Sequence, residues 1–140
     1  MRCMLMVRAT AESESGLFPP DMHQLVARMT AYHEELARAG VLLDASGLQP
    51  SRAGWRVRWE AGGQRIVDGP FAESKELIAG YTLIQVRSRE EALEWARRFP
   101  NPMGEGRPAE IEVRPLYEPE HFEQAGLPGA ADRSPGLGTP

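Results

Sequence analysis

The sequence predicts an α+β fold, and three observations support this class. Two short segments are largely apolar on both sides, as expected for central strands, and two others alternate apolar with polar residues, as expected for strands with one wet face. Two further segments repeat apolar residues at helical spacing. Their order, β-α-β-(β)-β-α-β, predicts a ferredoxin-like antiparallel sheet with two helices on one face. In that plan the first and third main strands are central, and these are the two largely apolar segments.

The first strand and the first helix come from the N-terminal part of the chain. Residues 3–8 are a short apolar run, which predicts a strand. The helix is predicted to begin at Asp21, with Gln24 as its capping-box partner, and to end at Gly40. Its apolar positions are Met22, Leu25, Val26, Met29 and Leu36. His33 lies on the same side of the helical wheel, so its imidazole is predicted to face the sheet.

The second main strand is predicted in the tryptophan-rich segment. Residues 41–43 are apolar, and residues 44–54, rich in Ser, Gly and Pro, are predicted to form a loop. The next residues alternate Trp55, Val57 and Trp59 with Arg56, Arg58 and Glu60. This pattern predicts a strand that flanks the main sheet, followed by a turn at Gly62 and Gly63 and an extra short strand over residues 64–67.

The remaining elements follow the Asp68 loop. Residues 81–86 predict the second central strand, and Ser88 with Glu91 predicts the capped start of a helix that ends before Pro100. Ile111 and Val113 alternate with polar residues in the last strand. We therefore predict one domain over residues 1–117 and a mobile tail over residues 118–140, because Gly and Pro are frequent there and no apolar period is present.

Composition excludes several classes of function. Twenty acidic and 16 basic residues give a net charge of −4 without a basic block, so nucleic acid is not an expected partner. The single cysteine, Cys3, excludes an intrachain disulfide and a cysteine-based zinc site, and no motif indicates another metal or a cofactor. No apolar run has the length of a membrane span, and no signal-peptide pattern is present. We therefore expect a cytoplasmic protein without membrane contact.

The two central strands also predict a homodimer. Two helices cover only one face of the sheet, whereas the central strands are apolar on both sides. Four apolar residues are expected on the uncovered face: Met4, Met6, Leu83 and Ile84. A second copy is the simplest cover for such a surface.

The segment from Asp68 to Tyr81, which reads Asp-Gly-Pro-Phe-Ala-Glu-Ser-Lys-Glu-Leu-Ile-Ala-Gly-Tyr, resembles the signature of the DGPF group of YCII-related (YciI-like) proteins. Further similar segments lie at residues 34–43, 47–48, 86–96, 100–103 and 112–115. The resemblance implies a dimeric ferredoxin-like α+β barrel and a suspected enzymatic activity without an agreed reaction. It also implies a link, for some members, to extracytoplasmic-function sigma factors.

The resemblance bears on the candidate catalytic residues as well. YciI-like relatives carry a histidine and an aspartate proposed as a catalytic dyad. Counting back from Gly40, the position matched to that histidine holds Met29 rather than His33. Gln49 stands where many DGPF members have a histidine.

Three residues are candidates for acid/base chemistry: Asp68, His33 and Tyr81. Asp68 leaves a strand end in a loop packed by Phe71, where partial burial would raise its pKa, and an imidazole facing a cleft suits proton transfer near neutral pH. Each has a structural alternative. Asp68 would close an Asx-type turn before Gly69 and Pro70, and His33 would be a hydrogen-bonded histidine at the edge of the core.

Five further residues are candidates for binding a small anionic metabolite: Arg56, Arg58, Phe71, Glu73 and Lys75. The two arginines lie on the polar face of the tryptophan strand, and Lys75 is the only lysine among the 16 basic residues. The alternative for all the charged members is a solvated surface with local ion pairs.

Two functions follow from these residues. The first is a small-molecule enzyme or binding protein with its site at a dimer cleft. The second is a non-catalytic regulatory or interaction module, associated by resemblance with a sigma-factor system.

Overall fold

The computed structural model describes residues 1–127 and contains a four-stranded antiparallel sheet and a separate two-stranded hairpin. The strands are β1 (Arg2–Arg8), β2 (Leu42–Gly47), β3 (Trp55–Glu60), β4 (Gly63–Asp68), β5 (Ile78–Gln85) and β6 (Ile111–Pro115). The helices are α1 (Ala11–Ser15), α2 (Met22–Arg38), α3 (Arg89–Arg97) and α4 (Pro119–Gln124). The main sheet has the order β2-β5-β1-β6, so β1 and β5 are central. This arrangement confirms the ferredoxin-like α+β fold.

The hydrophobic core lies between this sheet and the helices α2 and α3. Leu36 of α2 and Ala92 of α3 belong to one buried cluster with Cys3, Leu5 and Ile84 of the central strands. Leu5, Leu36 and Ile84 are each 0% exposed. Because fully burying such a side chain stabilises the fold by about 1.5–3 kcal/mol, this cluster holds the helices on the sheet.

The second main strand of the sheet is β2. The prediction that the tryptophan segment, residues 55–60, forms this strand was wrong. Ala45 of β2 is paired with Thr82 of β5, whereas Trp55 is paired only within the hairpin, with Asp68. After Leu42 and Leu43 the sequence of β2 has no apolar run, because β2 is an edge strand whose side chains on one face are exposed. The segment therefore has the composition of a loop although its backbone is paired.

The face of the sheet away from the helices carries three of the four apolar residues expected on it. Alternation along β1 and β5 places Met4, Met6, Tyr81 and Leu83 on this open face. Met4 and Met6 are half-buried and Leu83 is buried, while Ile84 lies on the helix side, contrary to the assignment from sequence. The homodimer through this face stays a prediction.

The hairpin β3-β4 carries the largest exposed apolar residues of the sheet region. Register pairs Val57 with Ile66 and Trp59 with Gln64, so one face of the hairpin presents Trp55, Val57, Trp59 and Ile66. All four side chains are exposed. The alternation predicted a dry face, and no part of the described chain buries it.

The helix termini and the C-terminal segment show two further differences. Asp21 precedes α2, but its carboxylate makes no capping bond and pairs instead with Arg107, at 3.1 Å. The predicted tail begins with helix α4, and Arg2 binds Glu118 just before it, at 3.1 Å. Residues 128–140, the rest of that predicted tail, lie outside the described residues. None of the helices within residues 1–127 is long and apolar enough to cross a membrane.

Candidate functional site

Three segments meet at the base of the hairpin, and Ser51 joins them. The carboxylate of Glu14, in α1, accepts the Ser51 N–H at 2.9 Å and also the Ser51 hydroxyl hydrogen. The Ser51 hydroxyl oxygen in turn accepts the N–H of Phe71 at 3.0 Å. Ser51 therefore ties α1 and its own turn to the loop that follows β4.

Gly69 explains why the Asp68–Phe71 loop packs so closely on that turn. Its N–H donates to the Gly54 carbonyl at 3.0 Å, which closes the hairpin base. A Cβ at position 69 would lie 1.8 Å from the Ser51 carbonyl oxygen, so only glycine fits without backbone movement. Gly69 therefore allows the loop after β4 to pack directly against the Ser51 backbone.

Arg56 and Phe71 form the most distinctive side-chain contact at this base. The guanidinium carbon of Arg56 lies 3.8 Å from the centre of the Phe71 ring, the geometry of a cation–π contact. Both side chains line a shallow groove of about 370 Å³. The groove is also lined by Glu14, Leu48, Gln49, Ser51, Trp55, Glu76, Leu77 and Ile78. It combines apolar walls with one arginine and two carboxylates.

Asp68 lies at the end of β4, directly opposite Trp55. Its side chain is exposed. Within residues 1–127 its carboxylate makes no hydrogen bond or ion pair, so the turn is held by backbone contacts and Phe71 rather than by an Asx-type cap. The partial burial expected for an acid/base role is also not seen in the single chain.

His33 packs on the helix side of the sheet. Its Nε2 lies 2.9 Å from the hydroxyl of Thr82, which is buried, and its ring is 5.8 Å from that of Tyr32. Burial lowers the pKa of His33 below its ordinary value. These contacts correspond to the alternative of a hydrogen-bonded histidine at the core.

Tyr81 lies on the opposite side of the sheet from His33, because it precedes Thr82 in the same regular strand. Its hydroxyl donates to Asp44 Oδ2 at 2.7 Å, and this bond raises the pKa of Tyr81. Asp44 was missed because residues 44–54 were interpreted as a loop. The structure therefore does not bring His33 and Tyr81 to one cleft within a chain.

The other predicted ligand-binding residues lie outside the groove. Arg58 is exposed and faces Arg65 across the hairpin. Glu73 and Lys75 are exposed in the loop before β5, where the Lys75 carbonyl accepts a hydrogen bond from Arg8. Of the five candidates, only Arg56 and Phe71 line the groove. Glu14 and Ser51 carried no sequence signal, since their contact joins segments far apart in the chain.

In the described part of the chain, no group of three or more His, Cys, Asp or Glu residues is arranged to hold a metal ion.

Comparison with known proteins agrees with the family resemblance of the segment from Asp68 to Tyr81. An uncharacterised protein of Rhizobium meliloti (strain 1021) is 35% identical over 111 residues, which cover 77% of this chain and 88% of that protein. The family model described as the YCII-related domain matches residues 1–117. The chain therefore belongs to the YCII-related domain family.

Proposed function

We propose that this protein binds a small molecule in the groove at the hairpin base, as a homodimer, and that an anionic group of the ligand pairs with Arg56. A cytoplasmic location is part of the proposal and is supported by the single, unpaired Cys3 thiol. The proposal concerns binding, because the three predicted acid/base residues do not share one cleft in a single chain.

The observation that carries the proposal is the position of Arg56. Its guanidinium is held over Phe71 and lines the groove, yet it makes no ion pair with a carboxylate anywhere in residues 1–127. A planar guanidinium held in one place can donate two parallel hydrogen bonds to a carboxylate or phosphate. Arg56 is therefore arranged to receive an anion.

Neither carboxylate of the groove, Glu14 or Glu76, forms an ion pair with Arg56 in the described residues. Glu14 is engaged by the backbone N–H and the hydroxyl of Ser51. Glu76 is exposed, so water screens its charge. Around them, Leu48, Leu77 and Ile78 supply apolar walls. This combination suits a ligand with an apolar body and one anionic end.

Calorimetric titration with three matched probes tests the proposal. Benzoate, benzamide and benzylamine share one ring and differ in charge. We expect benzoate to bind most tightly and Arg56→Gln to weaken its binding at least tenfold, because a hydrogen bond to a charged group contributes about 1.5–3 kcal/mol. Arg65→Gln is the matched control, since Arg65 lies on the same hairpin face but pairs with Glu60.

Equal binding of benzoate and benzamide, tighter binding of benzylamine, or an unchanged affinity in Arg56→Gln would contradict the proposal. If none of the probes binds at millimolar concentration, the alternative of a regulatory module without a small ligand is favoured and the proposed function is wrong.

A further inference from the structure

We infer that the ligand site continues into a second groove beside the first, and that the ligand is an elongated acid in three parts. Its carboxylate pairs with Arg56, an uncharged hydrogen-bonding link lies at Gln49, and a flat apolar end fills the second groove. This inference rests on the proposed function for the position of the carboxylate. N-aroyl amino acids, in which an amide joins an aromatic ring to a carboxylate, have this construction.

The second groove shares a wall with the first and has a volume of about 440 Å³. Five residues line both grooves: Leu48, Gln49, Ser51, Trp55 and Phe71. Because the two grooves share these residues, one molecule can lie in both. Sites for small molecules typically measure about 300–1,000 Å³, so the two grooves together suit a molecule larger than a single ring.

The two grooves differ in charge. The first contains Arg56, Glu14 and Glu76, whereas none of the described residues that line the second carries a charge. The residues found only in the second groove are small or apolar: Gly47, Pro50, Ala53 and Gly54. A charged group placed there would lose its hydration without gaining a partner. The second groove therefore suits an uncharged apolar group, and the anionic end of the ligand belongs at Arg56.

Two glycines of the second groove are not required by the backbone. Gly54 is extended, with φ of −116°, and Gly47 lies in β2 without a positive φ. A Cβ at Gly47 would meet no atom of the described residues within 4 Å. A Cβ at Gly54 would make only an ordinary contact, at 3.7 Å, with the Ser51 carbonyl oxygen. Glycine weakens a strand and often marks a place where a ligand approaches the backbone closely, so these two positions support occupation of the groove.

Trp55 and Phe71 favour a flat ring as the apolar end of the ligand. Both line the second groove as well as the first, and Trp55 is 64% exposed. Aromatic rings attract one another in offset-stacked and edge-to-face arrangements beyond the effect of the area that they bury. A ring therefore gains more from these walls than an aliphatic chain of the same area.

Gln49 lies where the two grooves meet, because it lines both. Its side chain is exposed, and within residues 1–127 it makes no hydrogen bond. A carboxamide can donate two hydrogen bonds and accept two. An amide in the ligand can also donate and accept, whereas an aliphatic link can do neither. Gln49 is therefore placed to bind the link between the ring and the carboxylate.

Calorimetric titration of the full chain with three acids tests this construction. Hippurate, which is N-benzoylglycine, has a ring, an amide and a carboxylate. In 4-phenylbutanoate the ring and the carboxylate are separated by the same number of chain atoms, but the amide is missing. We expect hippurate to bind at least tenfold more tightly than benzoate, which has no link. It should bind about threefold or more tightly than 4-phenylbutanoate, because the amide adds a net hydrogen bond.

Gln49→Leu tests the link. Leucine has a similar size but cannot form a hydrogen bond, so the preference for hippurate over 4-phenylbutanoate should disappear or reverse. Gln64→Leu is the matched control, since Gln64 is an exposed glutamine of β4 that lines neither groove, and it should keep the preference of the unchanged chain. An unchanged preference in Gln49→Leu, or the same loss in Gln64→Leu, would overturn the inference for the link.

Gly47→Val and Ala53→Leu test the second groove. Each variant adds a side chain at a residue that lines this groove alone, and space for the added atoms exists beside Gly47. We expect the advantage of hippurate over benzoate to fall below about threefold in both variants, whose folding is checked by circular dichroism. A tenfold advantage that persists in the folded variants would show that the ring lies elsewhere and would overturn the inference.

Intermolecular nuclear Overhauser effects locate the ring directly. The methyl group of Ala53 belongs to the second groove only, and the methyl groups of Ile78 belong to the first only. The ring protons of bound hippurate should show contacts with Ala53. Contacts with Ile78 and none with Ala53 would overturn the inference.

The titrations also separate this inference from the proposed function. If Arg56→Gln weakens the binding of benzoate but hippurate binds no more tightly than benzoate, the proposed function stands and the inference is overturned. If the advantage of hippurate is lost in Gly47→Val but Arg56→Gln changes no affinity, the second groove stands and the anion site at Arg56 is wrong. If none of the acids binds at millimolar concentration, both are wrong.

Discussion

The main sheet and the hairpin each have an apolar face, but these two faces have opposite environments. Leu5, on the helix side of the sheet, is 0% exposed, whereas Trp59 is 75% exposed on the hairpin. The helices α2 and α3 cover the first surface, and nothing within residues 1–127 covers the second. The core therefore accounts for the fold, and the base of the hairpin offers a groove for a ligand.

The largest effect should come from the core. Leu36→Ala removes a fully buried side chain and leaves a cavity, so the free energy of unfolding should fall by about 2–5 kcal/mol. The hairpin counterpart, Ile66→Ala, removes an exposed side chain, so its effect on the free energy of unfolding should be much smaller. Urea unfolding measures both.

A loss below about 1 kcal/mol in Leu36→Ala would show that the core packs less tightly than described. A loss in Ile66→Ala as large as that in Leu36→Ala would remove the distinction between the two regions.

An intermediate effect is expected at the junction between hairpin and core. In Gly69→Ala the new Cβ would meet the Ser51 carbonyl oxygen, so the loop has to shift, and the unfolding free energy should fall by about 1–3 kcal/mol. Gly62→Ala, at the other end of the hairpin, is the matched control because a Cβ there meets nothing within 4 Å. Equal stability of the two variants would contradict the close contact at Ser51.

The smallest effect concerns pH. Burial lowers the pKa of His33 in the folded chain, so below the ordinary value of 6.5 the unfolded chain binds more protons at this site. The contribution of His33 to stability is therefore complete above pH 6.5 and is lost as the pH falls. Between pH 7.5 and 5.5, the melting temperature should fall further in the unchanged chain than in His33→Gln. Parallel curves for the two proteins would show that His33 is not desolvated.

The fold was predictable from sequence because burial leaves a strong pattern. The apolar runs of β1 and β5 and the spacing of Leu25 and Leu36 in α2 each identified their element correctly. Strand β2 was missed because an edge strand needs no continuous apolar run. The tryptophan segment was identified as a strand, but alternation alone does not say which sheet a strand joins.

Residues of the groove were predictable from sequence only where the type and position of a single residue indicated a role. Arg56 and Phe71 were proposed from sequence, and the structure places them in contact at the groove. The contact of Glu14 with Ser51 joins residues 37 positions apart, and the pair of Asp44 and Tyr81 depends on the register of β2, so neither could be derived from spacing. The side of the sheet occupied by Tyr81 likewise follows from strand parity and not from the residue type. The helical wheel, by contrast, correctly predicted that His33 faces the sheet.

The central claim is that ligand binding occurs at the hairpin base and not at His33 or Tyr81. Mapping backbone amide NMR shifts during a titration with benzoate tests it most directly. The account predicts the largest shifts at Leu48, Ser51, Arg56 and Phe71, with little change at His33 or Thr82. Shifts concentrated at His33 and Tyr81, with none at the hairpin base, would contradict it.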